Sequence, residues 1–213
     1  MKSLHLNALA AAAVFLISAC SAQALFINFD TDAYGNAITA PGLFDLTSPL
    51  TELYAPLGVH FSGPIGGSGG AILNQSGNFG VPALSGENFL AFNRQSDVAY
   101  SVDPETITFD TPMTSVSIFA AGGTQSDIFT MQAFGAGGLL LDNASVTTQG
   151  YAQLSVSSLA GIQWVVLSES GAPYFVYDDL SATPVPEPAA VGWLVAGAVV
   201  MVCHFRRRKF AWR

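Results

Sequence analysis

Apolar residues alternate with polar ones through the middle of this chain, and no stretch before residue 189 shows sustained helical periodicity. That period is the strongest limit on the fold. In Glu105-Thr106-Ile107-Thr108-Phe109-Asp110 the apolar Ile107 and Phe109 face one way, and Val116 and Ile118 do so in Ser115-Val116-Ser117-Ile118-Phe119. Further strands are predicted at 25–29, 57–62, 88–92, 127–134, 138–142, 152–157, 162–168 and 174–181. Turn signals separate them: Gly122-Gly123, Gly135-Ala136-Gly137-Gly138, Asp142-Asn143 and Ser170-Gly171. Many short strands at close spacing predict an all-β fold, a jelly-roll-like β-sandwich whose first strand lies near its last. Trp164, between Ile162 and Val166, reads as a core residue.

The two ends have another character. Lys2, the apolar stretch Leu4 to Ala19 and Ala22-Gln23-Ala24 match the parts of a secretory signal peptide over residues 1–24, cut by signal peptidase before Leu25. Ile17-Ser18-Ala19-Cys20 offers the rival reading of a lipobox, with Cys20 lipidated.

At the other end Pro184-Val185-Pro186-Glu187-Pro188 precedes an uncharged run from Ala189 to Cys203 and then Arg206-Arg207-Arg208-Lys209. The three prolines fix φ and lack an N–H, which holds the strip extended and out of helix or sheet. As a helix the fifteen-residue run spans roughly 22 Å, short of a hydrocarbon core of roughly 30 Å, so the membrane helix is extended to 189–205 with snorkelling arginines. The basic cluster places that end in the cytoplasm and the preceding domain outside the inner membrane.

Val185-Pro186-Glu187-Pro188, a short apolar helix and a basic tail resemble the PEP-CTERM sorting signal of Gram-negative bacteria, a C-terminal domain that also carries an ice-binding label. The resemblance covers residues 184–213. It implies an exosortase partner that cuts near Glu187-Pro188, and a destination at the cell surface or in an extracellular polysaccharide matrix or biofilm.

Between these ends, residues 25–183 have the length of one domain. They contain no cysteine, so stability rests on a packed core and a metal, if one is held, rather than disulfides. Fourteen of the fifteen acids and a single base, Arg94, lie here, giving −13 against −8 for the whole chain. Such a surface repels nucleic acid and anionic lipid and favours divalent cations or neutral glycans.

Ile27-Asn28-Phe29-Asp30, Gly58-Val59-His60-Phe61-Ser62, Gly161-Ile162 and Tyr177-Asp178-Asp179-Leu180 look like exported jelly-roll domains related to carbohydrate-binding modules. The resemblance implies a structural calcium shared by first and last strands, with Asp30 and Asp179 as ligands and Asp32 and Asp178 behind them. Asp30-Thr31-Asp32-Ala33-Tyr34-Gly35 begins like an EF-hand loop but fails at Tyr34 and at Pro41, where the bidentate Glu should stand. The plainer alternative has Asp30 and Asp32 starting a turn, and Asp178 and Asp179 solvated at a strand end.

Catalytic patterns are poor. Gly66-Gly67-Ser68-Gly69-Gly70 satisfies G-x-S-x-G without the strand and helix that a nucleophile elbow needs. His60 alternates with Val59 and Phe61 as a half-exposed strand residue, and one histidine without cysteine builds no usual zinc site. Glu52, Glu87, Glu105 and Glu169 could supply a glycosidase pair, but nothing distinguishes them. For sugar stacking the loops offer Tyr34, Tyr54, Phe79, Tyr100, Tyr151 and Tyr174, with Asn74, Gln75, Asn78, Asn88 and Asn93 as polar contacts. The chain therefore reads as an exported, non-catalytic module that binds or organises polysaccharide. A structural or adhesive matrix protein with protein partners, and a glycoside hydrolase, are the alternatives.

Overall fold

A computed structural model describes residues 23–64, 69–77, 79–91, 93–95, 98–102, 104–123, 125–170 and 175–186. Residues 1–22 of the signal stretch, residues 65–68 with Ser68, and everything from Glu187 onward, including Pro188, the apolar run and Arg206 to Lys209, lie outside these residues. Among the described residues no helix is long and apolar enough to cross a membrane.

Their regular structure is β with short 3-10 turns: β1 Leu25–Ile27, β2 Val59–Ser62, β3 Ala71–Asn74, β4 Asn88–Ala91, β5 Asn93–Gln95, β6 Val98–Val102, β7 Glu105–Ala121, β8 Asp127–Phe134, β9 Leu140–Thr148, β10 Ala152–Ser170 and β11 Val176–Pro184. All these strands pair antiparallel. β5 and β6 form a hairpin of their own. The others make one sheet in the order β3-β4-β11-β7-β10-β8-β9, with β1 on β11 and β2 on β7. First and last strands are thus neighbours, as expected, with Leu25 opposite Ala182.

Two long strands organise this sheet. β7 has 17 residues and β10 has 19, where the sequence suggested two short strands in each place. Each bends instead of ending. Along one edge of β7, β2 pairs with Thr106 to Phe109 and β11 takes over from Met113. β8 pairs only with the later part of β10, from Trp164 to Ser170. The bend, at Pro112 in β7 and at 158–161 in β10, therefore divides the sheet. One half holds β2, the start of β7, the end of β10, β8 and β9; the other holds β1, β3, β4, β11, the end of β7 and the start of β10.

The bend also changes which side chains point inward. Ile107 and Phe109 are buried before it and Val116, Ile118 and Ala120 after it; in β10, Leu154 and Val156 give way to Val165 and Leu167. Register shifts on both sides of Ile162 mark the irregularity, and Gly161 sits at φ +87°, a conformation that any side chain would strain. The inward side chains of both halves join one cluster, in which Phe29, Tyr54 and Phe61 touch edge to face or tilted, at centroid distances of 6.1 to 6.3 Å. Burying each large apolar side chain contributes about 1.5–3 kcal/mol.

Other departures from expectation have local causes. Asp142-Asn143 is no turn but part of β9, which pairs with β8 as far as Thr148. Pro184 is drawn into β11 opposite Met113, and the N–H of Val185 bonds to the Pro112 carbonyl at 2.9 Å. The compact unit accordingly runs from Ala24 to Val185. β3 pairs with β4 and was not anticipated, because Ala71-Ile72-Leu73 is buried on both faces and shows no alternation.

Candidate functional site

Directly opposed residues on antiparallel strands share a face, so the pairings give the outer surface of the half that contains β8. One row runs His60, Thr108, Trp164, Phe134, Leu140 across five strands, and with neighbouring strands about 4.8 Å apart it spans roughly 19 Å. Trp164 and Phe134 stack in this row, centroids 5.5 Å apart and planes within 12°. The next row holds Ser62, Thr106, Val166, Gln132 and Asn143, and the one beyond it Ser168, Thr130 and Ser145. Thr130 Oγ1 and Ser168 Oγ are 2.6 Å apart.

Trp164 corrects the expectation that placed it in the core. Residues 162, 164 and 166 would share a face in an unbroken strand, and Ile162 is indeed buried. The shift after Ile162 hands the inward positions to Val165 and Leu167, and turns the indole outward. Sequence reasoning missed this site. The available signal was Gly161, a glycine inside a strand pattern, which marks a bulge.

At the β2 end of the row His60 is held between two carboxylates. Nδ1 lies 2.6 Å from Glu52 Oε2 and Nε2 lies 3.1 Å from Asp110 Oδ1. The hydrogen bond to Glu52, with Asp110 second, raises the imidazole above its ordinary pKa of 6.5 against a smaller opposing effect of burial. The imidazole ring fills the gap between the two carboxylates, where a glycosidase would need to seat its scissile oxygen.

The four proposed calcium ligands are placed differently from one another. Asp32 accepts from the N–H groups of Tyr34 and Asn36 and from Asn36 Nδ2, which lowers its pKa and makes it a turn residue. Asp30 Oδ1 instead reaches the N–H groups of Glu87 and Asn88 at 2.9 and 3.1 Å. Asp178 Oδ2 takes those of Leu84 and Ser85, its Oδ1 takes that of Asp179, and Asp179 Oδ1 accepts from Ser85 Oγ at 2.6 Å. Asp30, Asp178 and Asp179 thus tie the 84–88 loop to both terminal strands.

Asp178 is fully buried, not solvated; burial pushes its carboxyl up to about 7 in spite of the three N–H donors. Gly86 permits the knot, because a Cβ there would overlap the Asp30 carboxylate. Apart from the Ser85 hydroxyl, the donors facing these carboxylates are N–H groups, which suit anions and not a cation's ligand shell. Asp30 Oδ2, buried and without a hydrogen-bond partner, is the oxygen that fits a cation. Among the described residues no three His, Cys, Asp or Glu side chains are grouped to hold a metal.

The loop residues considered for sugar contact are scattered. Tyr54 and Phe79 are core residues, the Tyr54 hydroxyl bonding to the Thr31 carbonyl at 2.9 Å, and Asn88 is buried with its amide on the carbonyls of Phe29 and Ile38. Tyr151 is half-buried, and burial with Asp178 nearby pushes its hydroxyl pKa up. Tyr34 stands out from the surface. Asn74 and Gln75 line, with Ser76, Pro82 and Glu87, an open groove of about 510 Å³. The side chain of Tyr100, and Asn78 and Tyr174, lie outside the described residues.

No family model matches the chain, and no curated protein matches it. Among solved structures it is similar to a family 61 carbohydrate-binding module in complex with β-1,4-galactotriose, at 13% identity and TM-score 0.38, over 59% of this chain and 88% of that one. It is also similar to the Clostridium thermocellum xylanase 10B fragment complexed with xylohexaose, at 12% identity and TM-score 0.40, over 75% of this chain and 28% of that one. A third is a family 6 module from Clostridium stercorarium in complex with cellobiose, at 16% identity and TM-score 0.33, over 58% and 86% of the two chains.

Proposed function

We propose that this protein is a non-catalytic, glycan-binding module with a jelly-roll-like sandwich fold, exported and displayed at the cell surface or in the extracellular matrix. The observation that carries the reading is the Trp164–Phe134 stack on an outer sheet face. A large flat ring on a rigid strand offers apolar area to the C–H face of a sugar at little entropic cost. Thr108 opposite it and Thr106 and Gln132 in the next row offer hydroxyl and amide groups able to bond to ring hydroxyls. The net charge of the domain disfavours polyanionic glycans, so the ligand is a neutral or amino-sugar polymer. Export and exosortase processing rest on the two termini of the sequence alone. A structural calcium would use Asp30 Oδ2; a rise in melting temperature on adding calcium, reversed by chelator, tests that.

Glycan-array binding followed by titration calorimetry tests the main reading. Saturable binding that Trp164→Ala weakens at least tenfold in a protein that stays folded is the expected result; no binding to any neutral or amino-sugar glycan overturns it. A second reading, adhesion to protein, has its own observation on the other half of the sheet. There Phe26, 58% exposed, heads a row with Ser181, Ser117 and Ser155, a flat surface of small hydroxyl side chains that permits close approach.

A further inference from the structure

The corner at which the chain leaves the domain is apolar. Val185 bonds through its N–H to Pro112, and its Cγ2 would stand 3.7 Å from a Cβ at Gly161. A Cβ at Gly135 would stand 3.3 Å from the Gly161 carbonyl oxygen and 2.9 Å from Leu141 Cδ1. The β8–β9 turn, the bend of β10, Pro112 and Val185 are therefore one surface. Three leucines project from it: Leu159 is 94% exposed, Leu139 64% and Leu140 47%. Such exposure contributes nothing to the fold, and three together mark a contact surface.

Charge is sparse at this corner. Asp110 is paired with His60, and Asp142 accepts the N–H groups of Ser157 and Asn143. The carboxylates of the 84–88 knot sit toward the opposite end of β11, where the seven residue steps from Asp178 to Val185 amount to at most roughly 23 Å.

The occupant of this surface follows from the chain beyond it. Residues 186 to 188 separate Val185 from the uncharged run that begins at Ala189, and four fully extended steps reach at most about 14 Å. With that run in a bilayer, the corner cannot stand further than this from the hydrocarbon boundary. We infer that Leu139, Leu140 and Leu159 rest on the lipid surface, their side chains in the interface, while the chain is anchored. The inference depends on the membrane reading of residues 189–205. Leu140 also ends the row that contains Phe134 and Trp164, so a domain resting on this corner holds its aromatic face beside the bilayer and open to surrounding polymer.

The test uses the full chain with Cys20→Ser and Cys203→Ser, reconstituted into phosphatidylcholine vesicles that contain a doxyl-labelled lipid quencher near the headgroup. An environment-sensitive fluorophore is attached at Leu159→Cys or, as a control near the Asp32 turn, at Tyr34→Cys. The expected result is flotation of both proteins with the vesicles and quenching several times stronger at 159 than at 34. Flotation with equal quenching at the two positions overturns the inference and leaves the anchor standing. A blue-shifted but unquenched probe at 159 assigns the corner to a second copy or another protein, and overturns it too. Failure to float removes the membrane reading itself, and the inference with it, without touching glycan binding.

Discussion

The carboxylate knot and the aromatic face are built from opposite uses of polar side chains. At the knot, Asp30, Asp178 and Asp179 turn inward to the backbone of the 84–88 loop, where they replace the water that the loop's N–H groups would otherwise bind. On the aromatic face, threonine, serine and amide side chains point to solvent around a tryptophan that the fold does not bury. On the proposed reading the difference separates stability from recognition. Substitutions at the knot change how firmly the terminal strands are closed, and substitutions on the face change what the surface holds.

The largest expected effect lies at the knot. The folded state raises the Asp178 carboxyl from 3.8 to about 7, so between those values the folded protein binds more proton than the unfolded chain. Stability from this group is therefore highest at acid pH and falls as pH rises to about 7, by about 4 kcal/mol at most. Urea denaturation of the wild type and Asp178→Asn from pH 4 to 8 measures it, and parallel profiles would sink the assignment. Next, Asp30→Ala leaves the N–H groups of Glu87 and Asn88 without their acceptor and costs about 2 kcal/mol, with glycan affinity unchanged. Loss of binding in that variant at full folding would erase the division between the two regions.

On the face, Trp164→Ala is expected to weaken glycan binding at least tenfold, or about 1.4 kcal/mol, with the protein still folded. The smallest effect belongs to His60. Its raised pKa gives stability that is complete below the ordinary histidine value and is lost as pH rises through the folded value. His60→Gln should flatten that part of the pH profile while leaving the Asp178 slope intact, and an unchanged profile would show that the clamp is too solvated to matter.

Much of this architecture was legible in the sequence, and the failures share a cause. Alternation located β2, β8 and both halves of β7, because each has one buried face. It placed His60 on the half-exposed side of β2, but its partners, Glu52 and Asp110, come from a loop and another strand. Trp164 was misplaced by one register shift, since a single extra residue exchanges the two faces of everything that follows. Neither the ligand reading of Asp178 nor its solvated alternative foresaw the burial, because its loop partners lie more than ninety positions away, beyond the reach of any local pattern. Asp30 and Asp32, two residues apart, look alike in sequence; one closes a turn and the other ties a distant loop.

The position of β11 bears on how the domain would carry load. It lies between β7 and β4 and also takes β1, and its last residues lead to the C-terminal segment proposed above as a membrane anchor. A pull along this strand acts on the hydrogen bonds to β7 and to β1 at once, in shear, so that many must yield together. If the proposed module is held by this end while it grips a polymer, the load falls on a strand paired on both sides, and the grip on the sugar should give way before the fold does.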